Sequence, residues 1–185
     1  MDSRTAATTT VVVMGVSGSG KTSVAQVLAH RLGWEFAEGD EFHPEANVRK
    51  MRAGHALDDE DRRPWLAALA DWVGEQERQG RDAVVTCSAL RRSYRDLLAK
   101  GHPSVWFAHL AAHPDVLLDR LVRRTGHYMP PSLLESQLAT LEPLQDGEVG
   151  TTLDAGPPRE VIVAALQDVL AAQHRLPAGP PGGTP

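Results

Sequence analysis

The stretch GVSGSGKT, residues 15–22, follows directly on the apolar run TVVVM, residues 10–14, and constrains the fold of this 185-residue chain more than any other feature. Its spacing is Gly15, four residues, then Gly20-Lys21-Thr22. That is the pattern of a loop that wraps a polyphosphate in backbone N–H groups. Side chains at the glycine positions would block the approach. In such a loop Gly15, Ser17, Gly18, Ser19 and Gly20 line the cradle, Lys21 neutralises the β and γ phosphates, and the Thr22 hydroxyl ligates Mg2+. A serine- and glycine-rich turn without a ligand would not require all the fixed positions to be filled. TVVVM reads as a strand buried on both faces, and Val24, Leu28 and Leu32 recur at helical spacing until Gly33 ends the helix.

The alternation continues along the chain. Further strands are expected at 34–38, 83–87, 105–110 and 150–154, with helices at about 44–53, 61–79, 90–100, 114–124, 131–140 and 158–172. In the second of these helices Trp65, Leu69, Trp72 and Val73 form one apolar stripe. Strands separated by crossover-length helices imply an α/β fold with a parallel sheet covered on both faces. Ligands of such sheets collect at the carboxyl ends of the strands. A single domain is expected over 10–173, with loose tails at 1–9 and 174–185, the latter rich in proline and glycine. The net charge of −5 supplies no basic face for nucleic acid. No apolar run reaches the roughly 20 residues that cross a bilayer, and the N-terminal segment has no apolar core. The single cysteine, Cys87, excludes an internal disulfide and points to the cytoplasm.

Several segments carry candidate chemistry. In EGDEFHP, residues 38–44, Asp40 falls on the sheet edge that bears the phosphate loop. It can accept a proton from an attacking hydroxyl, orient that hydroxyl, or serve only as a turn former after Gly39. His43 can hydrogen-bond a polar substrate or stand as a surface histidine before Pro44. LDDEDRRPWL, residues 57–66, places acids where a helix dipole favours them. The dipole does not explain Arg62, whose guanidinium is suited to gripping a carboxylate. The strand at 83–87 ends in Cys87-Ser88 and has no acid there to hold Mg2+ through water, so Glu38 or Asp40 becomes the candidate for that role. Cys87 reads as a core thiol. Arg120 and Arg124 share one helical face and can cover a base or stabilise a transferred phosphate, or simply form an exposed charged face. The glycine and prolines after them suit a movable lid over about 124–140. His109 and His113 fall on a strand and at a helix start and lack the geometry of a metal pair; the acids at 58–61 lack an EF-hand's glycine and distal glutamate.

Together, MGVSGSGKT, GDEFHPEANVRKM, LDDEDRRPWL, CSALRRSYRDLL, RTGHYM and SQLATLEP resemble, in order, the blocks of the small P-loop gluconokinases, relatives of shikimate and adenylate kinases. The resemblance runs from about residue 10 to 172. It implies a three-layer P-loop fold like that of nucleoside monophosphate kinases, with five parallel strands and a lid, commonly as a homodimer. It also implies ATP- and Mg2+-dependent phosphorylation of D-gluconate at the 6-hydroxyl. By that resemblance Asp40, His43, Arg62, Ser88, Arg91 and His127 hold the sugar acid, Lys21, Asp40 and Arg124 serve catalysis, and Arg120 and Arg124 serve the nucleotide. The chain departs from the family at Glu38, where Asp occurs, and at Arg91, where Lys is common; both changes preserve charge.

Overall fold

The computed structural model describes residues 7–123 and 131–176. Its core is a five-stranded sheet in the order β2 (Glu35–Ala37), β3 (Ala83–Thr86), β1 (Thr10–Met14), β4 (Val105–Ala111), β5 (Gly150–Asp154). Every neighbouring pair is parallel, and Val12 of β1 stands opposite Val85 of β3 and Phe107 of β4. The chain leaves β1 toward β2 and β3 on one side and later returns to β4 and β5 on the other. This makes the carboxyl end of β1 the switch point where such sheets open a ligand crevice.

Continuous apolar strands arise because both faces are covered. Val11, Val13, Trp106, Ala108 and Leu110 join Val24, Leu28, Ile162 and Leu166 of α1 (Lys21–Leu32) and α7 (Arg159–Ala172). The alternate residues Val12, Met14, Val85 and Phe107 join Trp65, Leu69, Val73 and Leu98 of α3 (Asp59–Arg78) and α4 (Arg92–Ala99). Each such side chain, fully buried, contributes about 1.5–3 kcal/mol. A smaller cluster beyond the strand ends joins Val16, Leu90, Leu117, Leu121 and Leu134. It ties the loops after β1 and β3 to α5 (Pro114–Arg123) and α6 (Pro131–Thr140). Among the described residues no helix is long and apolar enough to cross a membrane.

Several element boundaries differ from the sequence reading. β2 is only three residues long, and a 3-10 turn, Gly39–Phe42, follows it before α2 (Glu45–Arg52). Gly39 approaches β3 so closely that a Cβ there would lie 1.8 Å from the Thr86 carbonyl oxygen, so only glycine lets the turn lie there. α3 begins earlier, at Asp59, because Asp58 and Asp61 form a reciprocal capping box. α4 begins at Arg92 rather than 90, since Ala89 takes a left-handed φ of 44° and Arg91 is extended. Thr9, expected in a loose tail, is buried; its N–H donates to Asp82 Oδ1 at 2.7 Å and its hydroxyl to the Arg175 carbonyl at 2.9 Å.

The loop after β3 owes its shape to Arg95, whose side chain is 1% exposed and ion-paired with Glu148. The guanidinium donates to the carbonyls of Ala89 and Glu142, each at 3.0 Å, and to Glu148 Oε2 at 3.0 Å. Arg95→Met would leave the Glu148 carboxylate buried and unpaired, a loss of about 3–5 kcal/mol. Urea denaturation checks this, and a loss below about 1 kcal/mol would contradict a structural role for the pair.

Candidate active site

The phosphate loop is shaped before any ligand arrives. At Gly15, φ is 145° and a Cβ would lie 2.8 Å from the Leu110 carbonyl oxygen, so a side chain would push the loop off β4. Lys21 Nζ donates to the Val16 carbonyl at 3.1 Å, which folds its stem back over the loop. Gly20 precedes α1 with no side-chain cap, and the first turn holds no acid, an arrangement that suits an anion. Ser19 Oγ is buried without a hydrogen-bond partner among the described residues. An orphan hydroxyl beside an uncapped helix start fits a phosphate. Ser17 N–H is already engaged, donating to Gln137 Oε1 at 2.7 Å.

On the β3 side of the loop, Glu38 organises the acidic part of the site. Its Oε2 accepts the Thr22 hydroxyl at 2.7 Å and its Oε1 accepts the Thr86 hydroxyl. Thr86 Oγ1 in turn accepts Gly39 N–H at 3.0 Å. A carboxylate and a hydroxyl joined at the mouth of a phosphate loop form an oxygen donor set suited to Mg2+. Asp40, the alternative for that role, points elsewhere. It sits in the 3-10 turn with its side chain 85% exposed, and its nearest ion-pair neighbour is His43 Nε2, at 4.0 Å.

His43 is not a surface residue, since its side chain is only 6% exposed. Its ring stacks on Trp65 with centroids 4.2 Å apart. Trp65 Nε1 donates to the Gly39 carbonyl at 2.7 Å. Asn47 Nδ2 lies 3.3 Å from His43 Nδ1. An amide nitrogen can only donate, so Nδ1 accepts and the neutral ring carries its proton on Nε2, the side facing Asp40. Burial holds the imidazole below its usual pKa; Asp40 opposes that effect and Arg62 reinforces it.

Arg62 and Arg91 meet over one aromatic ring. Their guanidinium carbons lie 5.6 and 5.9 Å from the Tyr94 ring centroid. Arg62 Nη2 also donates to the Leu57 carbonyl at 3.3 Å, and Arg91 pairs with Asp59 at 3.1 Å. The Asp59 carboxylate also accepts the Tyr94 hydroxyl. Ser88 lies beside the phosphate loop, its carbonyl accepting Gly15 N–H at 3.3 Å. Burial pushes the Cys87 thiol up to about 12, and its surroundings include the charges of Asp40, Lys21 and Arg62. Cys87 is therefore a core thiol at the end of β3.

A cleft of about 430 Å3 opens on the other side of the loop, lined by Gly18, Ser19, Gly20, Arg120, Arg123 and Arg159, among others. Arg120 donates to the carbonyls of Ala155 and Gly156, at 2.6 and 3.3 Å, so it braces the loop after β5 as well as facing the cleft. Arg124 and His127 lie outside the described residues. Reading the sequence missed Arg123 and Arg159 in the cleft, Tyr94 and Asp59 at the arginine pair, and Gln137 on the loop. Of these, Asp59, Tyr94 and Gln137 lie inside the blocks LDDEDRRPWL, CSALRRSYRDLL and SQLATLEP.

A phosphate loop at the switch point of a parallel sheet, with a carboxylate bonded to its threonine on one side and a basic cleft on the other, defines a P-loop phosphotransferase. Residues 11–136 match the family model described as an AAA domain. A gluconokinase of Gluconobacter oxydans (strain 621H) is 57% identical over 138 residues, which cover 75% of this chain and 78% of that protein. Among solved structures, a sugar kinase from Janibacter sp. HTCC2649 is 49% identical with a TM-score of 0.84, covering 89% of this chain and 95% of that one. A gluconokinase from Sinorhizobium meliloti 1021 is 42% identical with a TM-score of 0.78, covering 90% and 98%. The chain belongs to the gluconokinase family.

The depressed pKa of His43 has a definite sign in stability. The unfolded chain binds its proton near pH 6.5, whereas the folded chain resists it to lower pH. The neutral ring therefore contributes stability above about pH 6.5 that is lost as the pH falls through the folded value. Between pH 7 and 5 the wild type is expected to lose more unfolding free energy than His43→Gln. Equal slopes in urea titrations would contradict the buried, neutral assignment.

Proposed function

We propose that this enzyme transfers the γ-phosphoryl group of ATP to the 6-hydroxyl of D-gluconate, giving 6-phospho-D-gluconate and ADP. The observation that carries the reading is the Glu38 carboxylate bonded both to Thr22, at the start of α1, and to Thr86, at the end of β3, which brings the phosphate loop against the turn that holds Asp40. Membership of the gluconokinase family supports the choice of acceptor.

In this reading Arg62, with Arg91 and His43, holds the sugar acid, a guanidinium being matched to the carboxylate of gluconate. Stacking on Tyr94 presets the two arginines, so less side-chain freedom is lost on binding. Ser88 lines the same pocket. Asp40 orients the 6-hydroxyl and takes its proton as the oxygen attacks the γ-phosphorus and the bond to the β-phosphate oxygen breaks. Lys21 and the amides of the phosphate loop meet the charge on the moving phosphoryl group. Thr22 would hold Mg2+ through its hydroxyl and Glu38 through water, and the ion would neutralise the β and γ phosphates. Arg120 flanks the nucleoside. Arginine spacing and the breakers after it assign Arg124 to the phosphates and the lid to about 124–140, and the resemblance assigns His127 to the sugar acid. The same resemblance supports a homodimer, and the lone buried Cys87 suits the cytoplasm.

A coupled assay of ADP release across gluconate, shikimate, nucleoside monophosphates and simple sugars tests the acceptor. Gluconate is expected to give the highest kcat/KM, and a preference for any other acceptor would overturn the proposal. In the same assay Asp40→Asn is expected to lower kcat by more than about tenfold, roughly 1.4 kcal/mol of barrier. A smaller loss would remove the proton-accepting role.

A further inference from the structure

α6 and the residue pair after it touch both substrate loops. At one end, Gln137 Oε1 accepts Ser17 N–H at 2.7 Å. Only the oxygen of a side-chain amide can accept from an N–H, so the bond fixes which way the amide faces. At the other end, Glu142 grips the loop after β3 twice. Its N–H donates to the Leu90 carbonyl at 2.7 Å, and its Oε2 accepts Arg92 N–H at 2.7 Å. Between these bonds Leu138, one turn after Leu134, and Leu141 pack against the cluster that contains Val16 of the phosphate loop and Leu90 of the acceptor loop. Arg95 holds the Glu142 carbonyl at 3.0 Å, which pins this end to the core. The loops' own direct backbone link, Gly15 N–H to the Ser88 carbonyl, is longer, at 3.3 Å.

We propose that residues 137–142 form a strut coupling the nucleotide loop to the acceptor loop, with Gln137 and Glu142 as positioning residues that let occupancy of one loop order the other. The proposal rests on the kinase reading above. The physical basis is that both loops need a fixed backbone to bind their ligands, and a helix anchored to each shares the cost of ordering between them. Coupling of this kind is reciprocal, so nucleotide and acceptor each raise the other's affinity by the same factor. Neither residue need touch a substrate. Ser17 is held by its N–H, and the acceptor loop by the Leu90 carbonyl and the Arg92 N–H.

The test follows amide hydrogen exchange at Arg92 and Glu142 with and without a saturating non-hydrolysable ATP analogue and Mg2+, which reads the acceptor loop without any acceptor present. In the wild type the nucleotide is expected to slow exchange by about fivefold or more. In Gln137→Met, which keeps the length but loses the acceptor oxygen, the slowing should fall below about twofold. Glu142→Gln, which retains a carbonyl for Arg92 N–H, should keep it, and Glu142→Met should lose it. The thermal midpoint of each variant separates this effect from misfolding. The strut is overturned if nucleotide leaves the wild-type amides unchanged or if Gln137→Met retains the full slowing. Titrating gluconate with and without the analogue should show the same loss of mutual enhancement in Gln137→Met. A wild type whose amides respond to nucleotide but which ignores gluconate would instead refute the acceptor assignment and leave the strut standing.

Discussion

The Glu38 carboxylate accepts the hydroxyls of Thr22, at the start of α1, and Thr86, at the end of β3. Thr86 Oγ1 also receives the N–H of Gly39, so three chain segments meet at two oxygen atoms. A half-buried carboxylate must find such donors, because an unmet acceptor in a partly desolvated site costs about 1–3 kcal/mol. Satisfying it here locks the phosphate loop to the end of β3. The placement of the cradle against the 3-10 turn that carries Asp40 depends on that lock.

The turn after Glu38 is held in place by packing. Trp65 is buried within the α3 stripe, yet its indole N–H holds the Gly39 carbonyl, and its face carries His43. A core residue thus sets the 3-10 turn in which Asp40 sits. The close approach of Gly39 to Thr86 allows that turn to lie directly against β3. Stability and site geometry are therefore the same set of contacts, and damage to the core beneath Trp65 would move the acid above it.

Much of this was legible because its causes are local. The phosphate loop announces itself by spacing, β1 by an unbroken apolar run, and the start of α3 by its acids, which Asp58 and Asp61 use as caps. The strand order was not legible, since it depends on pairings between distant segments such as β1 with β4. Arg62 gave a signal as a cation where the helix dipole disfavours it. Its partner Tyr94 gave none, because the two meet only after α3 packs on α4. Glu38 could be read as one of two metal candidates. The choice between it and Asp40 came from which carboxylate turned inward, something no local pattern encodes. Arg120 and Arg124 were paired by their i, i+4 spacing, and Arg123, three residues from Arg120, shares that face and lines the cleft with it.

The dependence of the initial rate on free Mg2+, compared between wild type and Glu38→Gln at saturating ATP and gluconate, tests the Glu38 lock most directly. Loss of the carboxylate should raise the Mg2+ concentration for half-maximal rate by about tenfold or more. Superimposable Mg2+ curves for the two proteins would contradict the account.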